Sequence, residues 1–557
     1  MKSHIPEPVD VGDLDPVDPH TDDEAVADPR QRRLILLSMC VALVAVIASV
    51  SGLNVAQQAL AADLGASQGE LLWIINGYTL VLAALLLPIG AIGDRWGRKP
   101  VLVSGLVLFV ATNLASAFAT SAGMLIGMRL LAGVAAAMIM PVTLSVITTS
   151  FPAHERARAV GTWAGVAGAG GILGLFASAA IIDNVTWPWV FSVGVVLGVI
   201  SLIGAVIVVP HSREHIEAGF DVAGSILSIL AVGGLILAVQ EGPERGWSHP
   251  LVVGGLVIGV LAAVAFVRAE LRRDHPLLDV RLFRNRGLAT GSMNLMVVFA
   301  VMFTLFLVLV QLLQAVFGYS ALGAAVGLLP MALVMMPIST VAPTVAHRIG
   351  YRLTVVVGML LLAAGVGLLA ALVDIESGYV SVLPGLLVLA VGVGLAMSPS
   401  TTAITASLPE DKQGVASALN DTVREFGGAL GIALIGSLLN SQYRSNIADT
   451  AATLPSELAE PVKEGIGGAL AATGPMGSDG AFLLAAARDA WISGMRTALW
   501  IAAGLALATA IYNAISARHV PAAATGAATG TPDGDLDDAS PQPAIAADAS
   551  GVLNTTG

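Results

Sequence analysis

The sequence predicts an all-α membrane protein that crosses the bilayer fourteen times, as six spans, two inserted spans and six more. Three observations carry this. Apolar residues make up 56% of the 557-residue chain and charged ones only 12%, and the mean hydropathy of +0.82 lies far above that of a soluble globule. Almost uncharged stretches recur along the chain, each about the twenty residues that a helix needs to cross hydrocarbon. Finally, the first and last thirds of the spanning region repeat each other.

In order, residues 1–33 are rich in Asp, Glu and Pro and end in Arg30, Arg32 and Arg33, the pattern of a disordered tail. The first span, 34–56, is read as an uncleaved signal that stays in the membrane. Further spans are placed at 71–92, 101–119, 124–148, 159–181, 190–209, 221–240, 250–268, 288–311, 322–345, 353–373, 380–404, 414–439 and 491–516. A long outer loop, 440–490, precedes the last of them, and residues 518–557 read as a second disordered tail. With both termini in the cytoplasm, the inner loops collect Arg95, Arg98, Lys99, Arg156, Arg158, Arg272, Arg273, Arg348, Arg352 and Lys412, whereas the short outer loops hold only Arg245.

The repeat sets the domain plan. Ile147-Thr148-Thr149-Ser150-Phe151-Pro152 returns 257 residues later as Ile404-Thr405-Ala406-Ser407-Leu408-Pro409, and Gly170-Gly171-Ile172-Leu173-Gly174 returns as Gly427-Gly428-Ala429-Leu430-Gly431. The chain therefore divides into a six-helix bundle over 34–210, two inserted helices and a linker over 211–287, and a second six-helix bundle over 288–517. The halves are related by an axis along the membrane normal.

Composition narrows function. The net charge of -12 resides in tails and outer loops and does not select nucleic acid as a partner; the lone Cys40 lies inside the first span and forms no intramolecular disulfide. No Gly-rich loop with Gly-Lys-Ser/Thr supports an ATP-driven pump. His211-Ser212-Arg213-Glu214-His215 matches a zinc-hydrolase spacing, but it falls in a short turn between spans without a further ligand set, so no metal is expected. Neither an enzyme nor a bound cofactor is indicated.

The most specific stretch is Gly90-Ala91-Ile92-Gly93-Asp94-Arg95-Trp96-Gly97-Arg98-Lys99-Pro100, a short basic turn between the second and third spans. It resembles the corresponding loop of the major facilitator superfamily of secondary transporters, and Arg348-Ile349-Gly350-Tyr351-Arg352 is its weaker echo. The fourteen-span layout, with Phe220-Asp221, Pro276-Leu277-Leu278-Asp279 and Gln311-Leu312-Leu313-Gln314 in this order, resembles the fourteen-helix drug:proton antiporter family. The resemblance implies a major facilitator fold with pseudo-two-fold halves. It also implies proton-coupled efflux of amphipathic organic compounds from the cell across the plasma membrane, driven by the proton gradient; a monomer would suffice. A facilitator or a metabolite or lipid exporter without tight coupling, and a transporter-derived receptor, stand as alternatives.

The same residues take expected roles. Gly90, Asp94, Arg95, Gly97 and Arg98 form a conformational latch, with Asp94 against the positive end of the thirteenth span near Gly414. The bases Arg95, Arg98 and Lys99 hold the inner rim and meet lipid phosphates. Arg129, deep in the fourth span, is a coupling residue, since a guanidinium at that depth is costly without a role. Asp421 and Glu425 share one face of the thirteenth span with Arg424 able to pair back to Asp421, so one acid is structural and the other carries the proton. Asn54, Trp73, Asn76, Tyr78, Met140, Met293, Asn294, Met296, Gln311 and Gln314 are expected to line the substrate cavity. Gly161, Gly165, Gly168, Gly170, Gly171 and Gly174, with Gly427 and Gly431, are expected at close helix interfaces, the ladder over 161–174 forming the sliding contact between halves. Two departures from the family pattern stand out. Ser49 replaces an Asp in the first span and Gln58 a Pro, and Gly174-Leu175 and Ser178-Ala179 replace Gly-Pro and Gly-Gly.

Overall fold

The computed structural model describes residues 26–66, 68–210, 220–273, 276–408, 412–473 and 478–517. The first half runs α1 (Pro29–Leu64), α2 (Gln68–Trp96), α3 (Arg98–Ala117), α4 (Ala122–Ser150), α5 (Ala153–Ile182) and α6 (Val190–Val208). Then come α7 (Val222–Arg245) and α8 (Pro250–Glu270). The second half holds α9 (Arg286–Gln311), α10 (Ala321–Ile349), α11 (Tyr351–Leu372), α12 (Tyr379–Thr405), α13 (Gln413–Ala452), the short α14 (Ser456–Glu464) and α15 (Ile466–Thr473), and α16 (Ser478–Ser516). All but α14 and α15 are long and apolar enough to cross a membrane, which gives fourteen spans among the described residues.

The helix ends follow local chemistry. Asp28, Ser121, Asp221, Asn285 and Ser320 each accept a first-turn backbone N–H, capping α1, α4, α7, α9 and α10. One residue, Gly97 at φ 105°, turns α2 into α3, and Gly350 at φ 88° turns α10 into α11 in the same way. Only glycine takes that backbone readily, so the two turns are equivalent points of the repeat.

Packing repeats as well. In the first half α1 meets α5, α2 meets α4, and α3 meets α4 and α6; in the second, α9 meets α13, α10 meets α12, and α11 meets α12 and α16. The pairings correspond helix for helix, as the pseudo-two-fold relation requires. Two seams join the halves, α2 against α13 and α5 against α10. The inserted α7 lies over the first, touching both α2 and α13, while α8 packs on α7.

Two expectations change. The loop 440–490 is mostly helical: α13 runs on to Ala452 because Tyr443, Ile447 and Ala451 form a buried stripe in one cluster with Leu483, Ala487 and Trp491 of α16. Tyr443 Oη also donates to Val462 O of α14 at 3.0 Å. The N-terminal tail ends earlier than residue 33, since Asp28 caps α1 and Arg32 is anchored on Glu155 by two hydrogen bonds of 2.9 and 3.0 Å. The His211–His215 motif, like residues 1–25 and 518–557, lies outside the described residues.

Candidate transport cavity and closing contacts

A cavity opens between the halves, with about 910 Å³ of empty space counting the part open to solvent. Each half gives one wall. From the first come Val46, Ile47, Val50 and Ser51 of α1, Thr79 and Leu82 of α2, Met140 of α4, and Ala167, Gly168, Gly171 and Ile172 of α5. The facing wall is Phe299, Met302, Phe303, Phe306 and Leu309 of α9, Leu328 and Met331 of α10, and Arg424 and Glu425 of α13. Aromatic rings and methionines give this surface large, adaptable apolar contacts.

Among the described residues, Arg424 and Glu425 are the only charged ones in the lining. Arg424 Nη1 donates to Asp421 Oδ1 at 2.9 Å, and its guanidinium lies 4.4 Å from the Phe299 ring centroid and 5.3 Å from that of Trp163. Asp421 is 0% exposed and also accepts from Asn420 Nδ2 at 3.2 Å, so its charge is matched locally. The two acids thus differ in kind. Asp421 is held inside an ion pair, whereas no ion pair or hydrogen bond occupies the Glu425 carboxylate at the cavity wall among the described residues.

One layer behind the opposite wall sits Arg129, 1% exposed. Its Nε donates to Ile74 O at 3.1 Å, its Nη1 to Ser49 Oγ at 3.0 Å, and its guanidinium covers the Tyr78 ring at 4.2 Å. Tyr78 Oη in turn donates to Val46 O at 3.2 Å, which ties this cluster to the cavity lining. Arg129 Nη2 is buried with no hydrogen-bond partner, and no carboxylate among the described residues pairs with the group.

The α2–α3 turn closes one end. Asp94, 1% exposed, accepts from Gly414 N at 2.8 Å and Val415 N at 3.2 Å, the first free N–H groups of α13, and from Arg98 Nη2 at 3.2 Å. A carboxylate there meets both unpaired donors and the positive end of a 40-residue helix. Gly90 lets the backbones touch: a Cβ on it would stand 2.5 Å from Gly414 O. Two of the bases make contacts within the protein. Arg98 is 1% exposed in its pair with Asp94, and Lys99 Nζ donates to Val206 O and Val209 O at 2.8 and 2.7 Å, capping the end of α6. Arg95 is half-buried at the same turn.

Several expected positions shift. Of the proposed cavity residues whose side chains are described, only Met140 lines this space. Tyr78 is buried beneath Arg129, and Asn294 is turned into α9 packing, donating to Ser400 Oγ at 3.2 Å and accepting from Asn513 Nδ2. Trp73 and Asn76 lie elsewhere on α2, Met293 and Met296 elsewhere on α9, and Gln311 and Gln314 at the far end of α9 and the π-helical turn after it. The Asn54 side chain lies outside the described residues. The glycine ladder splits in two. Gly161, Gly165 and Gly168 face Ser339, Met336 and Met335 of α10, across the halves, whereas Gly170 and Gly174 face Ile47 and Ala48 of α1. Gly427 and Gly431 likewise meet Met296 and Ala300 of α9, inside one half. The cavity wall of Phe299, Phe303 and Phe306 was not anticipated, though its spacing along one helical face was visible.

Two pseudo-symmetric bundles, a cavity lined from both, and closing contacts on one side of it define a helical membrane carrier. The sequence matches the family model of the Major Facilitator Superfamily over residues 37–432. The chain belongs to that superfamily. It is similar to the multidrug efflux pump LfrA of Mycolicibacterium smegmatis, 33% identical over 87% of this chain and 96% of that protein. It is also similar to the tetracenomycin C resistance and export protein of Streptomyces glaucescens, 30% identical over 87% of this chain and 92% of the other. Among solved structures, a bacterial homologue of the human lysosomal transporter Spinster, inward-facing and unoccupied, shares the fold with a TM-score of 0.57 and 16% identity over 88% of this chain and 98% of that one.

Proposed function

We propose that this protein exports amphipathic organic compounds across the plasma membrane in exchange for protons, by alternating access of the central cavity, with the α2–α3 turn on the cytoplasmic side. Efflux by this fold has the support of the family and of relatives named as drug and antibiotic exporters. The observation that carries proton coupling is the contrast between the two acids of α13. Asp421 is bonded to Arg424, while Glu425 reaches the cavity with no ion pair or hydrogen bond of its own among the described residues. An intramembrane acid facing a pathway is a functional group by default, and one not held in an ion pair is the natural place for a proton. Cargo entering the cavity meets this same carboxylate, which gives exchange a shared site.

Closure of the cytoplasmic side then belongs to Asp94 on the end of α13 and to the small-residue contact of α5 with α10. When these part, the cavity opens inward and the two rigid bundles rock about it. The basic inner loops favour this orientation.

The test is transport in proteoliposomes with an imposed pH gradient. Wild type should move cargo uphill. Glu425→Gln should abolish gradient-driven movement while sparing cargo exchange at equal pH, and Asp421→Asn should lower the amount of folded protein, because it strands Arg424 in the membrane. If Glu425→Gln still couples, the proton site lies elsewhere; if no gradient moves any compound, facilitated export replaces antiport.

A further inference from the structure

The charges around the cavity favour one cargo class, and the argument rests on the reading of this cavity as the transport site. Four ionisable side chains face it or stand directly behind its lining: Arg424 and Glu425 at the surface, Asp421 paired with Arg424, and Arg129 behind Val46 and Tyr78. From α7, Gln240 Nε2 reaches the lining through Thr79 Oγ1 at 3.2 Å, and the adjacent Glu241 is already paired with Arg245, adding no net charge. The first four sum to zero while Glu425 is ionised, and to one positive charge once it is protonated.

The placement matters more than the sum. Arg424 and Asp421 cancel across 2.9 Å, but Arg129 is met only by neutral acceptors, Ser49 Oγ and Ile74 O, and by the face of Tyr78. Its Nη2 is buried and unpartnered, so the wall of the first half carries an uncompensated positive charge in a low-dielectric surround. A permanently cationic cargo would find the sole free acid, Glu425, on the far wall beside Arg424, and would stand before Arg129 on the near one. Apart from the hydroxyls of Ser51 and Thr79 the rest of the lining is apolar, with Phe299, Phe303 and Phe306 offering ring faces and edges to a flat molecule.

We infer that the cavity selects uncharged, planar aromatic amphiphiles over permanent organic cations, and that the Ser49–Arg129 contact sets this preference. Ser49 is a specificity residue acting through Arg129, one layer from the cargo. An acid at that position would cancel the guanidinium and remove the penalty on a cation.

The experiment compares two probes on one scaffold: an anthraquinone with an uncharged side chain and the same anthraquinone bearing a quaternary trimethylammonium group. Binding to purified full-length protein is read by fluorescence, and gradient-driven movement is read in proteoliposomes. Wild type should bind the uncharged probe about tenfold more tightly, the order expected from one uncompensated charge nearby. Ser49→Asp should narrow that ratio about tenfold, and Ser49→Asn, similar in polarity but neutral, should leave it unchanged. Equal or tighter binding of the quaternary probe by wild type overturns the inference, as does a ratio that Ser49→Asp does not move. Gradient-driven transport of the quaternary probe alone overturns the cargo class while sustaining antiport. Preferential binding of the uncharged probe with no gradient-driven movement sustains the cargo preference while overturning antiport.

Discussion

The two seams between the halves are equivalent by the pseudo-two-fold relation, yet they are held by different means. Along α2 and α13 the contact ends in a charged clasp, Asp94 on the backbone N–H groups of Gly414 and Val415. Its counterpart along α10 and α5 has no acid to play this part, because α10 ends in His347 and Arg348 where the equivalent end of α2 carries Asp94. That seam relies instead on close approach, with Gly161 and Gly165 against the Ser339 and Met336 backbone and one hydrogen bond from Ser339 Oγ to Gly161 O at 3.0 Å. The difference teaches that the fold needs two tight seams but only one electrostatic latch. A seam of small residues closes wherever backbones fit, whereas a carboxylate on a helix end adds a contact that is wholly made or wholly broken.

The comparison can be broken most forcefully at Gly90. A valine there would push into Gly414 O and into Ala418, whose Cβ would lie 2.7 Å from the new Cβ, and backbone on both sides cannot yield. Overpacking of this kind costs about 1–3 kcal/mol. Gly90→Val should therefore shift the equilibrium toward the state open at this end by roughly ten- to a hundredfold. Spin labels at Trp96 and Ile349, exposed residues at the same end of opposite halves, would report the separation; the only native cysteine, Cys40, is buried. An unchanged distance distribution would mean that the seam does not hold the halves.

Asp94→Asn comes next. The amide keeps the shape but loses the charge that faces the α13 N-terminus, a contribution of about 0.3–2 kcal/mol, so opening should rise up to roughly thirtyfold at this seam. High salt should change this little, because the group is 1% exposed. Equal distance distributions in wild type and variant would reduce Asp94 to a turn-forming residue.

How much of this was legible in the sequence follows from the same physics. Asp94 could be assigned because its turn resembles the superfamily's loop and an acid there suits the positive end of a helix from the other half, where it accepts from Gly414 N. Arg424 and Asp421, three apart on one helix, could be paired from spacing alone. The cavity lining could not be. Spans that are apolar on every side do not declare which face meets lipid, a partner helix or the cavity, so Asn294 was placed in the cavity although it bonds to Ser400 and Asn513. Amides at helix ends, such as Gln311 and Gln314, carry equally little directional information. Glycines mislead for a related reason: the spacing over 161–174 announces close packing, but only the helix crossing shows that its first part faces α10 and its last part α1.

The finest probe of the two seams is Ser339→Ala. It removes a single neutral hydrogen bond, and Gly161 O lies within a regular stretch of α5 that keeps its backbone paired. The expected loss is about 0.5–1.5 kcal/mol, and the alanine still fits the space that Gly161 and Gly165 leave. Opening measured with the same labels should therefore rise less than in Asp94→Asn, and the double variant should show the sum of the two effects, because the seams share no side chain. If Ser339→Ala opens the protein as far as Asp94→Asn, the hydroxyl is a second latch and the seams are equals in energy despite their chemistry. If the double variant falls short of the sum, loss of one contact already loosens the other, and the two seams are energetically coupled.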